Sequence, residues 1–157
     1  MSRILIAGAA AVGLLLGMPG AASAHSTDDW YDVGSVPSGY GYVGSSSSHV
    51  SGVYQQVQMW RSNNYVVLAG YVSDTKTDGY CGTAQIRYEI YDNGGWVGHW
   101  HYRQMPVYDC STGTTGGGNW KKYVKSTYKV RNVSSRACHA TSSGGIIHCE
   151  SGWHGPI

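Results

Sequence analysis

Phenylalanine is absent from this 157-residue sequence, and charged residues make up only 13% of it. Glutamate occurs twice, at Glu89 and Glu150. The catalytic signatures are missing as well. There is no Gly-x-Ser-x-Gly elbow, no His-Glu-x-x-His pair and no Gly-x-x-x-x-Gly-Lys-[Ser/Thr] loop, so the spacings that position a nucleophile, a zinc ion or a phosphate do not occur. A glycosidase would need two carboxyl groups at a set separation; Glu89 with Asp109 is a nominal pair with nothing around it in support. The expectation is a protein that is not an enzyme and needs no cofactor. No Cys-x-x-Cys pair is present, which argues against a structural zinc. No segment keeps a helical period of apolar residues, which argues against a helical fold.

What is present begins with an export signal. Arg3 is followed by an apolar run, Ile4 to Leu16, and by Ala22-Ser23-Ala24 before His25. The run is too short to span a bilayer, and residues 1–24 read as a secretory signal peptide. Residues 25–157 then suit one domain with a real core. Of the eleven basic residues only Arg3 lies in the leader, so the remainder is close to neutral against nine acidic ones. That balance gives no electrostatic case for nucleic acid.

Four cysteines follow the leader: Cys81, Cys110, Cys138 and Cys149. An even count in an exported chain suggests two disulfides. Three pairings are possible, and Cys81–Cys110 with Cys138–Cys149 is favoured because each closes its own hairpin.

The clearest local pattern lies over residues 79–103. Ala84, Ile86, Tyr88 and Ile90 alternate with Gln85, Arg87, Glu89 and Tyr91, a period of two that puts one set in a core and the other in water. Asp92-Asn93-Gly94-Gly95 supplies a tight turn. Trp96, Gly98, Trp100 and Tyr102 then alternate with Val97, His99, His101 and Arg103, which would leave His99 and His101 on the outer face. Before this hairpin, Val53–Trp60 alternates, 61–64 is a turn, and Val66-Val67-Leu68-Ala69 reads as a deeply buried strand. After it, Gln104 to Asn119 reads as irregular and Trp120 to Val133 as one strand. A last hairpin pairs Arg136–Ala140 with Ile146–Glu150; if Cys138 faces Cys149, His139 faces His148. The expected fold is all-β: a single small antiparallel β-sandwich over residues 50–157, with two disulfides. A flexible Gly/Ser/Tyr-rich arm over residues 25–49 precedes it, since so few apolar residues offset little ordering entropy.

Tyrosine occurs 13 times and tryptophan 6 times. Both tolerate partial exposure through a polar handle. The plainer reading is that they fill a half-wet sheet; the sharper one is an adhesive surface for a protein or glycan. Trp30, Tyr31, Tyr40 and Tyr42 are odd in a mere linker and are the candidate binding residues, placed on an arm that docks on a partner as an added strand. Trp96, Trp100 and Trp120 could instead stack on sugar rings, and Met105–Thr115 could be an inhibitory loop against a hydrolase.

Other candidates are weaker. Asp74-Thr75-Lys76-Thr77-Asp78-Gly79 opens like a calcium loop, but Lys76 takes a ligand position and Gln85 stands where a bidentate acid is needed; local Asx turns suit it better. His99 with His101, and His139 with His148, could hold Zn²⁺ or Cu²⁺, but no third ligand is evident, so no metal site is assigned. His25, if it became the first residue, could chelate copper through its amine and ring. Lys121, Lys122, Lys125, Lys129, Arg131 and Arg136 read as a solvated basic face, or as a dock for an acidic partner.

The leader, the Tyr-rich strands, the stretch Val72-Ser73-Asp74-Thr75-Lys76-Thr77-Asp78-Gly79-Tyr80-Cys81 and the Cys138…Cys149 hairpin together resemble small exported β-proteins of actinobacteria. Within that group the chain is similar to the small adaptor subunit of umbrella toxin particles. The resemblance implies a non-catalytic protein-protein interaction module. It would join lectin-like subunits, which carry degenerate protease-like domains, to a toxin-bearing stalk in an extracellular antibacterial particle. The arm would insert into a cleft of the lectin subunit. The expected partners are thus other secreted proteins, with a glycan as the alternative.

Overall fold

Asparagine and glycine turns set the hairpins from which this fold is built. Asn63 and Asn64 (φ 49° and 66°) and Asn93 and Gly94 (φ 47° and 83°) adopt the left-handed backbone that two-residue hairpins need. A computed structural model describes residues 29–110, 119, 120 and 123–157; the expected leader over 1–24, His25, Asp28, Lys121 and Lys122 lie outside them, as does 111–118. Among the described residues, no helix is long and apolar enough to cross a membrane.

The described residues form eleven strands: β1 (Trp30–Val33), β2 (Gly41–Val50), β3 (Val53–Ser62), β4 (Tyr65–Asp74), β5 (Cys81–Asp92), β6 (Gly95–Trp96), β7 (His101–Asp109), β8 (Asn119–Trp120), β9 (Tyr123–Ser126), β10 (Lys129–Ala140) and β11 (Ile146–Cys149). They form two antiparallel sheets. The first runs β1-β9-β4-β3-β2, with β8 also on β4; the second runs β11-β10-β5, with β6 and β7 both on the far side of β5. The disulfides are Cys81–Cys110 and Cys138–Cys149. Such bonds persist in oxidising compartments.

The core lies between the sheets. Val53, Val57, Met59, Val66, Leu68 and Val72 meet Ala84, Ile86, Tyr88, Ile90, Met105 and Val107. The sheets approach closely at Gly82, where an added Cβ would stand 2.7 Å from a Val53 methyl. Beside the apolar core runs a polar seam. Gln55 is fully buried and its Nε2 donates to Ser48 Oγ (3.0 Å) and Ser135 Oγ (2.9 Å). Ser135 Oγ donates to Ser46 Oγ (2.8 Å), and Ser46 Oγ to the His154 carbonyl (2.7 Å).

That seam corrects the expected arm. Within its described part, Trp30–Val33 and Gly41–Val50 belong to the first sheet as β1 and β2. Ser46 and Ser48 face inward and are buried while Ser45 and Ser47 are exposed, so the serine run is a strand whose inward hydroxyls are satisfied by Gln55, Ser135, the Ala137 amide and the His154 carbonyl. Three other expectations shift. The hairpin return breaks after Trp96, with Gly98 at φ 71°, and its two faces are the reverse of those expected: Trp96 pairs with the outward Tyr91 and Val97 packs on the core, and beyond the break His101 points inward and Tyr102 outward. The supposed irregular stretch from Gln104 is strand as far as Asp109. The supposed single strand Trp120–Val133 changes sheets: β9 belongs to the first and β10 to the second, with the Thr127 amide held by the Asp29 carbonyl (2.8 Å) at the corner.

Candidate functional site

The outer face of the first sheet gathers three of the four expected binding residues. Register fixes the face. Tyr42 pairs with Trp60, Trp60 with Val67, Val67 with Lys125 and Lys125 with Tyr31, so these five side chains share one surface. The rings of Tyr42 and Trp60, and of Trp60 and Tyr123, meet edge to face, each pair 5.5 Å between centres. This row lies across β4 and roofs Val67, which is fully buried although it faces outward. Tyr31 and Tyr42 themselves are 47% and 58% exposed, a large aromatic area left to solvent.

Among the described residues, Lys125 sits in this aromatic field. Lys125 Nζ lies 5.9 Å from the Tyr31 ring centre and 5.4 Å from that of Tyr40. A hydrogen bond with Tyr31, and a smaller one with Tyr40, raises its pKa above the ordinary lysine value, so it stays charged. Further along, Tyr54 and Tyr71 meet at 6.1 Å, with Gln56 and Gln58 at outward positions of β3. Trp60, Tyr123 and Lys125 were not singled out together from sequence. Only the strand register joins them, and no local pattern announces it.

Trp30 goes the other way. It is 4% exposed and packs edge-on against Tyr88 at 5.1 Å, as part of the core. Beside it, Asp29 accepts hydrogen bonds from the Tyr88 hydroxyl (2.9 Å) and His101 Nδ1 (2.9 Å). Burial first, then Asp29, pushes the Tyr88 phenol far above its ordinary value, which keeps it a donor.

The outer face of the second sheet is also aromatic, but its rings are covered by guanidinium groups. Arg87 stacks between Trp100 (4.4 Å) and Trp153 (4.9 Å), Arg136 lies over the same Trp153 (4.3 Å), and Arg131 lies over Trp96 (4.4 Å). Trp96 and Trp100 are therefore partly occupied as sugar platforms; nothing is described of the Trp120 side chain.

The remaining candidates separate. The basic residues do not form one face: Lys125 is on the first sheet, while Lys129, Arg131 and Arg136 are on the second. Glu89 accepts from Arg131 (2.8 Å) and Asn132 (2.9 Å), and these bonds lower its pKa. Asp109 is buried, pairs in register with Gly82 seven residues before Glu89, and accepts from the Asp74 amide (3.0 Å). The two carboxyls are thus far apart along β5. The calcium-like loop is two Asx turns: Asp74 Oδ1 accepts from the Lys76 amide and Asp78 Oδ1 from that of Tyr80. Met105 of the supposed inhibitory loop is in the core, and residues 111–115 lie outside the described part. His99 and His101 stack nearly parallel, 5.0 Å apart. His139 faces His148 in register.

No protein-family model, curated protein or solved structure matches the chain.

Proposed function

We propose that this protein is a non-catalytic, exported protein-protein interaction module whose partner-binding surface is the outer face of the first sheet. The observation that supports this is the row Tyr42–Trp60–Tyr123 with Tyr31 and Tyr40 around Lys125. Tyrosine and tryptophan are rigid, amphipathic contact residues enriched at interfaces. The sandwich presents them on a broad rigid face. A role as an adaptor between lectin-like and toxin-bearing proteins in an extracellular antibacterial particle fits this surface. Insertion of Trp30 into a partner fits less well, because the ring would have to leave the core.

The test is recovery of partners from culture supernatant with the tagged protein and with a Tyr31→Ala/Tyr42→Ala double variant. Both side chains are exposed, so the variant should fold. Loss of partner recovery supports the reading; unchanged recovery removes this face from it. Gln56 and Gln58 between exposed rings also suit sugar hydroxyls, and that favours a glycan as the second reading. A glycan array decides it: binding abolished by Tyr54→Ala would replace the protein partner with a carbohydrate.

A further inference from the structure

One end of the second sheet holds a cavity of about 380 Å³, lined by Ser51, Asp78, Tyr80, His139, Ile147 and His148. It lies apart from the aromatic face. His139 is only 8% exposed, and its Nε2 is buried with no hydrogen-bond partner. An orphaned buried imidazole nitrogen is unusual, and in a cavity wall it points to a ligand.

The neighbouring ring is well placed to share that ligand. His148 is the direct cross-strand partner of His139, and the ring centres are 6.2 Å apart with planes inclined at 52°. With each nitrogen about 2.1 Å from a bound ion, two imidazole centres stand on the order of 5–6 Å apart, so a small side-chain rotation closes the gap. The pair immediately beside it in the ladder is the disulfide Cys138–Cys149. That bond fixes the cross-strand spacing and preorganises the two histidines. Tyr80 packs against His139 at 5.7 Å and restrains its ring. Asp78 also lines the wall, and Asp74 interacts electrostatically with His139.

We propose that His139 and His148 form a two-imidazole site for a first-row divalent transition ion, Zn²⁺ or Cu²⁺. Neutral imidazole nitrogens suit those ions over Mg²⁺ or Ca²⁺. Among the described residues no group of three His, Cys, Asp or Glu side chains could hold an ion. The remaining coordination positions therefore take water or a donor from another molecule. The other histidine pair is unsuited, because His99 and His101 stack at 15° and His101 Nδ1 is engaged by Asp29; parallel rings do not converge their lone pairs on one point.

The experiment is calorimetric titration of the folded, disulfide-bonded protein with ZnCl₂ and with CuSO₄, alongside His148→Ala and His99→Ala. His148 is exposed, so its replacement should leave the fold intact. The expected result is binding that weakens at least tenfold in His148→Ala and is unchanged in His99→Ala. In parallel, the ¹⁵N resonance of His139 Nε2 should shift on adding Zn²⁺. Absence of binding, or binding that survives in His148→Ala, overturns the proposal.

Discussion

His101 Nδ1 lies 2.9 Å from Asp29 Oδ2, across 72 residues of sequence. Both groups are buried, and the contact ties the strand β1 of one sheet to β7 of the other. Breaking a buried, hydrogen-bonded pair from one side typically costs about 3 kcal/mol. Asp29→Ala should lower unfolding stability by that order. It should also speed amide exchange along the β1–β9 pairing, from Trp30 to Val33. Urea unfolding and hydrogen exchange measure the two effects; protection unchanged in β1 would show that Trp30 alone holds the strand.

The Gln55 seam makes a second prediction. Gln55→Ala removes two hydrogen bonds, to Ser48 and Ser135, and opens space between the sheets. A loss of about 2–3 kcal/mol is expected in chemical denaturation. Ser47→Ala, next to Ser48 but exposed, should change little. Equal effects from the two would refute the inward-outward phase of β2.

Two carboxyl groups shift in opposite directions, and their pH dependences differ in sign. The pKa of Glu89 is lowered by its bonds to Arg131 and Asn132, so its contribution is present at neutral pH and fades as pH falls through the lowered value. Because Arg131 is partly exposed, Glu89→Gln should cost about 0.5–1 kcal/mol at pH 7, and less at pH 3. Asp74 is raised from 3.8, chiefly by burial. Its ionisation opposes folding once pH rises through the raised value. Asp74→Asn, which keeps an oxygen for the Lys76 amide, should therefore stabilise at pH 7 and lose that advantage in acid. Thermal unfolding across pH 3 to 7 checks both slopes.

Removing the shorter disulfide is the fourth prediction. Cys138 and Cys149 are eleven residues apart, and opening a loop of that size removes about 3 kcal/mol through the unfolded chain. A Cys138→Ala/Cys149→Ala variant should melt lower and lose protection in β11 before the rest of β10. Uniform loss of protection would place the hairpin inside the cooperative core.

Much of the fold was legible. Alternation over Ala84–Ile90, the Asp92–Gly95 turn and the two cysteine pairings all reach the structure as expected, because each depends on neighbours in sequence or on a hairpin. The His139–His148 register followed from the same logic. What stayed hidden was long-range. The serines of β2 score as linker by hydropathy, since hydroxyls satisfied by partners on distant strands look no different from hydroxyls in water. His101 looked solvent-facing because the phase of the return strand is set across the turn: Trp96 pairs with the outward Tyr91, so Trp96 and Tyr102 face outward while Val97 and His101 face inward. Of the candidate surface, Tyr31, Tyr40 and Tyr42 were visible as unusual aromatics, whereas Trp60, Tyr123 and Lys125 join them only through strand pairing.

The run Ser45-Ser46-Ser47-Ser48 has a consequence for how β2 finds its place. Four like residues offer a hydroxyl to Gln55 and Ser135 whether the strand sits in its native alignment or one step away. Most strands reject a one-step error because it would carry apolar side chains into water, but here the inward residues cannot tell the two alignments apart. The selection falls on the ends: the Tyr42–Trp60 contact and the irregularity between Tyr42 and Gly44 on one side, and the Ser51-Gly52 turn on the other. Tyr42 and the Ser51-Gly52 turn thus act as paired index marks for the strand, and the turn still sets the alignment of β2 when the exposed Tyr42 ring is removed.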